Sequence, residues 1–132
     1  MRREILIVDD DASVRDTIRL VLEREGYGIL TASDGQTALE IMSTADTSAK
    51  VCTILCDLEM PKMNGKELID HFRTQYPSIP ILVLSGASDT VFLDGIVQEG
   101  VCDWLRKPVT REALLDKVRT AVNLYALRHQ HQ

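Results

Sequence analysis

The residues best suited to chemistry in this sequence are acidic residues that follow short apolar runs. Asp9 and Asp10 come directly after the first run, and Asp57 comes directly after a later one. Carboxylates brought close together repel one another unless a cation joins them, and a highly charged, all-oxygen site suits Mg²⁺. An ionised aspartate is also a competent nucleophile for phosphoryl transfer, which forms an acyl phosphate. These residues therefore predict a magnesium site beside a phosphoryl-accepting aspartate.

Two further residues stand at the ends of apolar runs and complement that chemistry. Lys107 can pair with phosphate as a point charge, and the Ser85 hydroxyl can donate a hydrogen bond to a phosphoryl oxygen. Taken alone, Lys107 is typical of a surface lysine and Ser85 of a turn. Their interpretation as site residues depends on four run ends carrying suitable groups together. Asp11, in contrast, is interpreted as the N-cap of the first helix.

Apolar runs of strand length alternate along the chain with amphipathic stretches of helical periodicity. Several runs are apolar at nearly every position, which is typical of parallel strands covered on both faces. The pattern predicts an α/β fold, a doubly wound five-stranded parallel sheet with five helices, and strands of this number and size suit the order 2-1-3-4-5. The predicted strands are Ile5–Val8, Gly28–Ala32, Val51–Cys56, Ile81–Leu84 and Val101–Leu105.

Capping residues mark the helix boundaries, and the strand order decides which run ends meet. Asp34 and Asp89 are predicted N-caps, and Thr110 is predicted to begin the last helix. In an open α/β sheet, sites form beyond the carboxyl ends of the strands. Strands one and three are neighbours in the predicted order. We therefore expect the three aspartates that follow them to lie in one small region.

Composition limits the classes of protein to which the chain can belong. Its 132 residues fit one domain, with a core over about residues 4–125 and a tail over 126–132. The net charge of −5 argues against binding of nucleic acid or of an anionic membrane surface. The chain has no bilayer-length apolar run and no signal-peptide pattern, so we expect a cytoplasmic protein. Its cysteines, interpreted as small buried apolar residues, are Cys52, Cys56 and Cys102.

The motifs at the run ends resemble those of response-regulator receiver domains from two-component systems, the CheY-like domains. They are IVDDD at the first strand, CDLEMPKMNG around Asp57, LSG at Ser85 and LRKP at Lys107. The resemblance runs from Ile5 to about Leu124. Any one motif would be weak by itself, but together at these intervals they are highly specific.

The resemblance implies a role for each residue of the acidic region. Asp57 is expected to be the phosphoacceptor and, with Asp10, a direct metal ligand. Asp9 is expected to assist the metal through water, and Glu59 to bind it through its backbone carbonyl. The side chain of Glu59 places another carboxylate near the site, and two effects stay open: stronger metal binding or a slower approach of the donor. Gly65 resembles the glycine that closes the loop after the phosphoacceptor.

The resemblance also covers the phosphate-binding side, with two departures. Ser85 is implied as the switch hydroxyl and Lys107 as the phosphate-pairing lysine, followed by a cis peptide bond to Pro108. Trp104 stands where the family usually has a Tyr or Phe that rotates as a switch, and its bulk places that rotation in doubt. Val109 stands where a Phe is more common.

The function implied by the resemblance is that of a signalling domain. It takes a phosphoryl group from the phosphohistidine of a sensor histidine kinase or a phosphotransfer protein, with Mg²⁺, and changes conformation to control an output. It hydrolyses its own acyl phosphate slowly and turns over no external substrate. A fused or separate effector domain is implied, and a homodimer through the fourth helix, fifth strand and fifth helix is compatible with the family.

Three other functions stay open on sequence grounds. A magnesium-dependent phosphatase would use Asp57 as nucleophile and Glu59 as acid/base, but the chain has no length for a substrate cap. A flavin or nucleotide domain needs a Gly/Ser/Thr-rich loop after the first strand, where this chain has three aspartates. A degenerate receiver would act only as a protein-binding module, against which the filled site positions count.

Overall fold

The computed structural model describes residues 3–60, 65–86, 90–98 and 100–129, and these ranges contain five strands and six helices. The strands are β1 (Glu4–Val8), β2 (Gly28–Ala32), β3 (Val51–Asp57), β4 (Ile81–Ser85) and β5 (Asp103–Arg106). The helices are α1 (Ala12–Arg24), α2 (Gly35–Ser43), α3 (Ala45–Ser48), α4 (Gly65–Gln75), α5 (Thr90–Gln98) and α6 (Arg111–His129). No helix within the described ranges is both long and apolar enough to cross a lipid bilayer.

The strands form one parallel sheet in the order β2-β1-β3-β4-β5. This confirms the predicted doubly wound α/β fold and its strand order. Every residue of β3 and β4 is buried. In β1, every residue after the first, Glu4, is buried. The edge strands β2 and β5 are partly exposed. The continuous apolar runs therefore correspond to central strands covered on both faces by helices.

Side-chain caps fix the starts of three helices. Asp11 Oδ1 accepts the N–H groups of Ser13 at 2.9 Å and Val14 at 3.4 Å, which confirms Asp11 as the N-cap of α1. Asp34 Oδ1 accepts the N–H of Thr37 at 2.8 Å at the start of α2. Thr110 Oγ1 accepts the N–H of Ala113 at 3.2 Å before α6. The predicted cap Asp89 lies outside the described residues.

The described residues form six helices, whereas five were predicted. The additional helix, α3, has four residues, none of them buried, and lies between α2 and β3. So short and exposed a helix produces no amphipathic repeat, and the sequence gives no periodic signal for it. The start of β5 is also later than predicted, at Asp103 rather than Val101. Val101 is buried, but its N–H donates to the Ile96 carbonyl of α5 rather than to a neighbouring strand. Val101 therefore belongs to the turn between α5 and β5.

The last helix extends to His129, beyond the core limit predicted at about residue 125. Tyr125 is buried, and its ring centroid lies 3.9 Å from that of His129. The Arg3 guanidinium lies 5.6 Å from the same Tyr125 ring. Within residues 126–129, Arg128 Nη1 donates to the Pro77 carbonyl at 3.5 Å, a contact of the last turn with another part of the chain.

Two of the three cysteines are buried, as predicted. Cys52 and Cys56 are fully buried in β3, and Cys102 is half-buried before β5. All three are free thiols. Burial raises the pKa of each thiol, so each stays protonated at neutral pH and behaves as a small apolar side chain.

Candidate functional site

The site forms at the edge of the sheet where neighbouring parallel strands end. β3 lies between β1 and β4, and Asp57 at the end of β3 is in register with Leu84 of β4. Chain segments that follow these strands therefore leave the sheet side by side. β5 adds Lys107 to the same edge, where its backbone N–H donates to the Ser85 carbonyl at 2.8 Å.

The three predicted aspartates meet at this edge. One carboxylate oxygen from each of Asp9, Asp10 and Asp57 lies within 4.8 Å of the others. Asp9 and Asp57 are buried, with 0% and 1% of their surface exposed, whereas Asp10 is exposed. Asp9 Oδ1 accepts the N–H of Asp11 at 2.9 Å, and Asp57 Oδ1 accepts the N–H of Glu59 at 3.1 Å. The cluster thus joins two buried carboxylates to one in contact with solvent.

Lys107 connects the two buried carboxylates. Its Nζ atom lies 2.9 Å from Asp9 Oδ2 and 3.2 Å from Asp57 Oδ1. Its peptide bond to Pro108 is cis, as the resemblance implies. Burial by itself would lower the pKa of Lys107, but the contact with Asp9 and the charge of Asp57 outweigh it, and the pKa of Lys107 is raised. The ammonium group therefore stays charged between the two acids.

Asp57 is the least compensated acid of the pair. Burial, followed by the charge of Asp9, raises the pKa of Asp57 to about 7, against the opposing effects of the Glu59 N–H and Lys107. Asp57 Oδ2 is buried and accepts no hydrogen bond from the residues that the structure describes. A buried carboxylate oxygen without a donor is costly, and a cation beside it relieves that cost. The all-carboxylate donor set fits Mg²⁺ and lacks the nitrogen and sulfur ligands typical of Zn²⁺.

The Glu59 side chain links the ends of β3 and β4. Its Oε1 atom accepts the N–H of Gly86 at 2.8 Å and the hydroxyl of the buried Ser85 at 3.2 Å. The sequence alone does not decide the effect of this side chain, and it does not mark the Gly86 N–H as a site group. The adjacency of β3 and β4 was the available signal, because residues just past adjacent parallel strands lie close together.

Gly65 begins α4 in contact with the end of β3. A Cβ atom at this position would overlap the carbonyl oxygens of Leu58 and Asp57. Only a glycine lets the helix start so close to the segment that carries Asp57. This close approach supports the role that the resemblance implies for Gly65.

The Trp104 ring is held beside β5 by polar and cationic neighbours. Its Nε1–H donates to Asp94 Oδ1 of α5 at 3.2 Å. The Arg106 guanidinium and the Lys117 ammonium lie 5.3 Å and 5.7 Å from the ring centroid. Lys117 also contacts Asp103 Oδ2 at 2.9 Å. An inward rotation of Trp104 would break the hydrogen bond and both cation–π contacts.

Known proteins with similar sequences include two whose full chains are much longer. The chain is 35% identical over 119 residues to the CAI-1 autoinducer sensor kinase/phosphatase CqsS of Vibrio cholerae, covering 88% of this chain and 17% of that protein. It is 34% identical over 119 residues to the DNA-binding response regulator MtrA of Mycobacterium tuberculosis, covering 90% of this chain and 50% of that protein. The chain therefore spans half or less of the length of these relatives.

The structural similarity covers nearly the whole chain. A response regulator receiver domain protein from Clostridium thermocellum matches with a TM-score of 0.86 and 28% identity, covering 95% of this chain and 98% of that one. Residues 5–119 match the model of the response regulator receiver domain family. These residues include both acidic segments, Ser85 and Lys107. The chain belongs to the response regulator receiver domain family.

Proposed function

We propose that Asp57 accepts a phosphoryl group from the phosphohistidine of a sensor histidine kinase or phosphotransfer protein, and that the modified domain controls an output. The observation that carries the proposal is the state of Asp57. It is buried beside a second carboxylate, paired with Lys107 through Oδ1, and without a hydrogen-bond donor among the described residues at Oδ2. Such an oxygen is suited to bond formation and to a neighbouring cation.

The transfer uses groups of this chain in defined roles. The ionised Asp57 carboxylate attacks phosphorus, an O–P bond forms, and the P–N bond to the donor imidazole breaks. The released imidazole nitrogen takes up a proton. Lys107 and the Ser85 hydroxyl compensate charge on the phosphoryl oxygens, so positioning and electrostatics supply most of the catalysis. Mg²⁺, held by Asp10 and Asp57 with the Glu59 carbonyl and with Asp9 acting through water, would neutralise charge on the transferred group.

The acyl phosphate on Asp57 is then hydrolysed. Water attacks phosphorus, the Asp57 carboxylate leaves, and inorganic phosphate is released, so the domain returns to its starting state without turning over an external substrate. A phosphatase that used Glu59 as acid/base would need that carboxylate free to exchange a proton with the substrate. Its Oε1 atom instead accepts hydrogen bonds from Ser85 and Gly86. This contact favours the phosphoacceptor over the phosphatase.

A groove of this chain lies beside the site, and we infer that the donor protein docks there. A cavity of about 160 Å³ lies between α1 and the segment after β5, lined by Val14, Ile18, Lys107 and Pro108 among others. A partner seated there would bring its phosphohistidine close to Lys107 and hence to Asp57. We infer a cytoplasmic partner of this kind. The relatives, a sensor kinase/phosphatase and a DNA-binding regulator, support an effector that is either fused to the domain or separate.

The first test is the intact mass of the protein after incubation with acetyl phosphate, with and without Mg²⁺. We expect one phosphoryl adduct that requires Mg²⁺ and is lost in Asp57→Asn. The same assay with a phosphorylated histidine phosphotransfer domain covers the case of a receiver that refuses small donors. An adduct that persists in Asp57→Asn, or no adduct with either donor, would contradict the proposal.

A further inference from the structure

The Glu59 carboxylate already occupies two hydrogen-bond donors beside Asp57. One oxygen, Oε1, accepts from the Gly86 N–H at 2.8 Å and from the Ser85 hydroxyl at 3.2 Å. Asp57 is in register with Leu84 on the adjacent strand, so Ser85 and Gly86 are the next residues along that strand. The contact therefore fastens a negative charge at the point where the proposed phosphoryl group must be received.

A phosphoryl group on Asp57 would need the same donors. It adds three acceptor oxygens and about 1.5 to 2 negative charges at neutral pH. In the proposed function the Ser85 hydroxyl donates to one of these oxygens. A hydroxyl has a single proton to donate, so it cannot serve Glu59 and the phosphoryl group at once. Both groups are negatively charged, so they would also repel each other if they shared one donor.

We propose that the Glu59 carboxylate is a tethered competitor of the phosphoryl group on Asp57. It holds the Ser85 hydroxyl and the Gly86 N–H in the unmodified protein and has to release them when Asp57 is modified. The inference rests on the proposed function, because it requires Asp57 to be the acceptor. It gives the Glu59 side chain a positioning role separate from that of its backbone carbonyl.

A purely structural role for Glu59 predicts the opposite change on mutation. If the carboxylate only fastened the segment after β4, its removal would loosen the donors and weaken the binding of a phosphoryl-like anion. If it competes, its removal frees two donors and one negative charge is lost, so the anion binds more tightly. A charge-assisted hydrogen bond corresponds to roughly a tenfold change in affinity. We expect a gain of about that size.

The experiment is a calorimetric titration of beryllofluoride, an analogue of the phosphoryl group, into the protein at saturating Mg²⁺. The variants are Glu59→Ala and Glu59→Gln, so that the loss of the side chain and the loss of its charge are separated. Glu40→Gln, an exposed position on α2, removes one negative charge elsewhere and serves as the matched control. Mg²⁺ affinity is measured first for each variant, because a change at Glu59 alters the charge near the metal.

The expected result is tighter beryllofluoride binding by both Glu59 variants, about tenfold for Glu59→Ala, with the control equal to the wild type. Unchanged or weaker binding by both variants, with a wild type that binds, would overturn this inference and leave the proposed function standing. A wild type that binds no beryllofluoride at saturating Mg²⁺ would overturn both.

The Gly86 amide provides a second measurement that does not depend on affinity. Its ¹H–¹⁵N resonance is expected to move in Glu59→Ala, and to move in the wild type when beryllofluoride binds. A wild-type Gly86 resonance unaffected by saturating beryllofluoride would overturn the inference, since the carboxylate would then have kept its donor.

Discussion

Lys107 and Lys117 each hold an aspartate at the same distance in very different surroundings. The Lys107 Nζ atom lies 2.9 Å from Asp9 Oδ2, and the Lys117 Nζ atom lies 2.9 Å from Asp103 Oδ2. The exposed fractions of lysine and aspartate are 24% and 0% in the first pair, and 30% and 42% in the second. The interatomic distance is the same, so burial of the acid is what separates the two pairs.

This difference in burial shows that the incompletely compensated negative charge of the fold lies at the buried pair. Water can replace either partner of the exposed pair, and such pairs contribute about 0–1 kcal/mol to stability. In the buried pair Asp9 is out of reach of water, although Lys107 is partly exposed, and a second acid lies beside them, Asp57, whose pKa is raised to about 7. A single lysine therefore serves two buried carboxylates. Ionisable groups perturbed in this way are typical of functional sites.

Asp57→Asn should give the largest effect, a gain in stability at high pH without metal. Its pKa is about 7 in the folded protein, against an ordinary value of 3.8. The folded state therefore holds more protons than the unfolded state between about pH 4 and pH 7, and stability falls as the pH rises through that window. Asparagine does not ionise, so Asp57→Asn escapes this loss. Three pKa units correspond to an upper limit of about 4 kcal/mol.

Urea unfolding in the presence of a chelator, at pH 8 and near pH 4, measures this prediction. The gain should be present at pH 8. It should be nearly absent near pH 4, where residue 57 is neutral in the folded state of both the wild type and Asp57→Asn. Asp103→Asn, at the exposed pair, is the matched control and should change stability by less than about 1 kcal/mol at either pH. A loss of stability in Asp57→Asn at pH 8 would show that its pairing with Lys107 outweighs burial and repulsion.

Lys107→Ala should destabilise the metal-free protein by about 3 kcal/mol at pH 8, since it leaves two buried carboxylates without a cation. Lys117→Ala removes an equally short ion pair and should cost less than about 1 kcal/mol. Urea unfolding of the two variants side by side gives the ratio directly. Mg²⁺ should still bind Lys107→Ala and recover part of its stability. Equal costs for the two lysines would break the comparison and show that burial does not separate the pairs.

The position of the acidic residues could be predicted from the sequence, but their burial and hydrogen bonds could not. Strand ends and their order followed from apolar runs and from the geometry of parallel sheets, and they were enough to bring Asp9, Asp10 and Asp57 together. The sequence could not show that Asp9 is buried while its neighbour Asp10 is exposed, because burial depends on how the chain turns after β1. The adjacency of β3 and β4 places Glu59 near Ser85, but the hydrogen bond between them could not be predicted because it depends on the conformation of the Glu59 side chain.

The short helix α3 was missed for a related physical reason. It has four residues, all at least partly exposed, so no repeat of buried positions marks it in the sequence. In the last turn of α6, Arg128 donates to the carbonyl of Pro77, 51 residues away, and such a long-range contact leaves no periodic signal in the sequence. The strand order was predictable because many buried residues indicate the same strands. A helix end or a short helix was not predictable, because it depends on a single contact or on a few exposed residues.

Mg²⁺ should connect an exposed acid to the buried pair and so sharpen the contrast. At a free concentration of 100 times its dissociation constant, a ligand specific for the folded state stabilises it by about 2.7 kcal/mol, which corresponds to roughly 10 °C in Tm for a domain of this size. Asp10→Asn should leave the Tm unchanged in chelator, because Asp10 is exposed, and lose most of the rise in Mg²⁺. Asp103→Asn should keep the full rise. A loss of the rise would place Asp10 in the metal site, because an exposed carboxylate can affect stability this strongly only through a cation that it shares with Asp57. The same rise in Asp10→Asn as in the wild type would exclude Asp10 from that site.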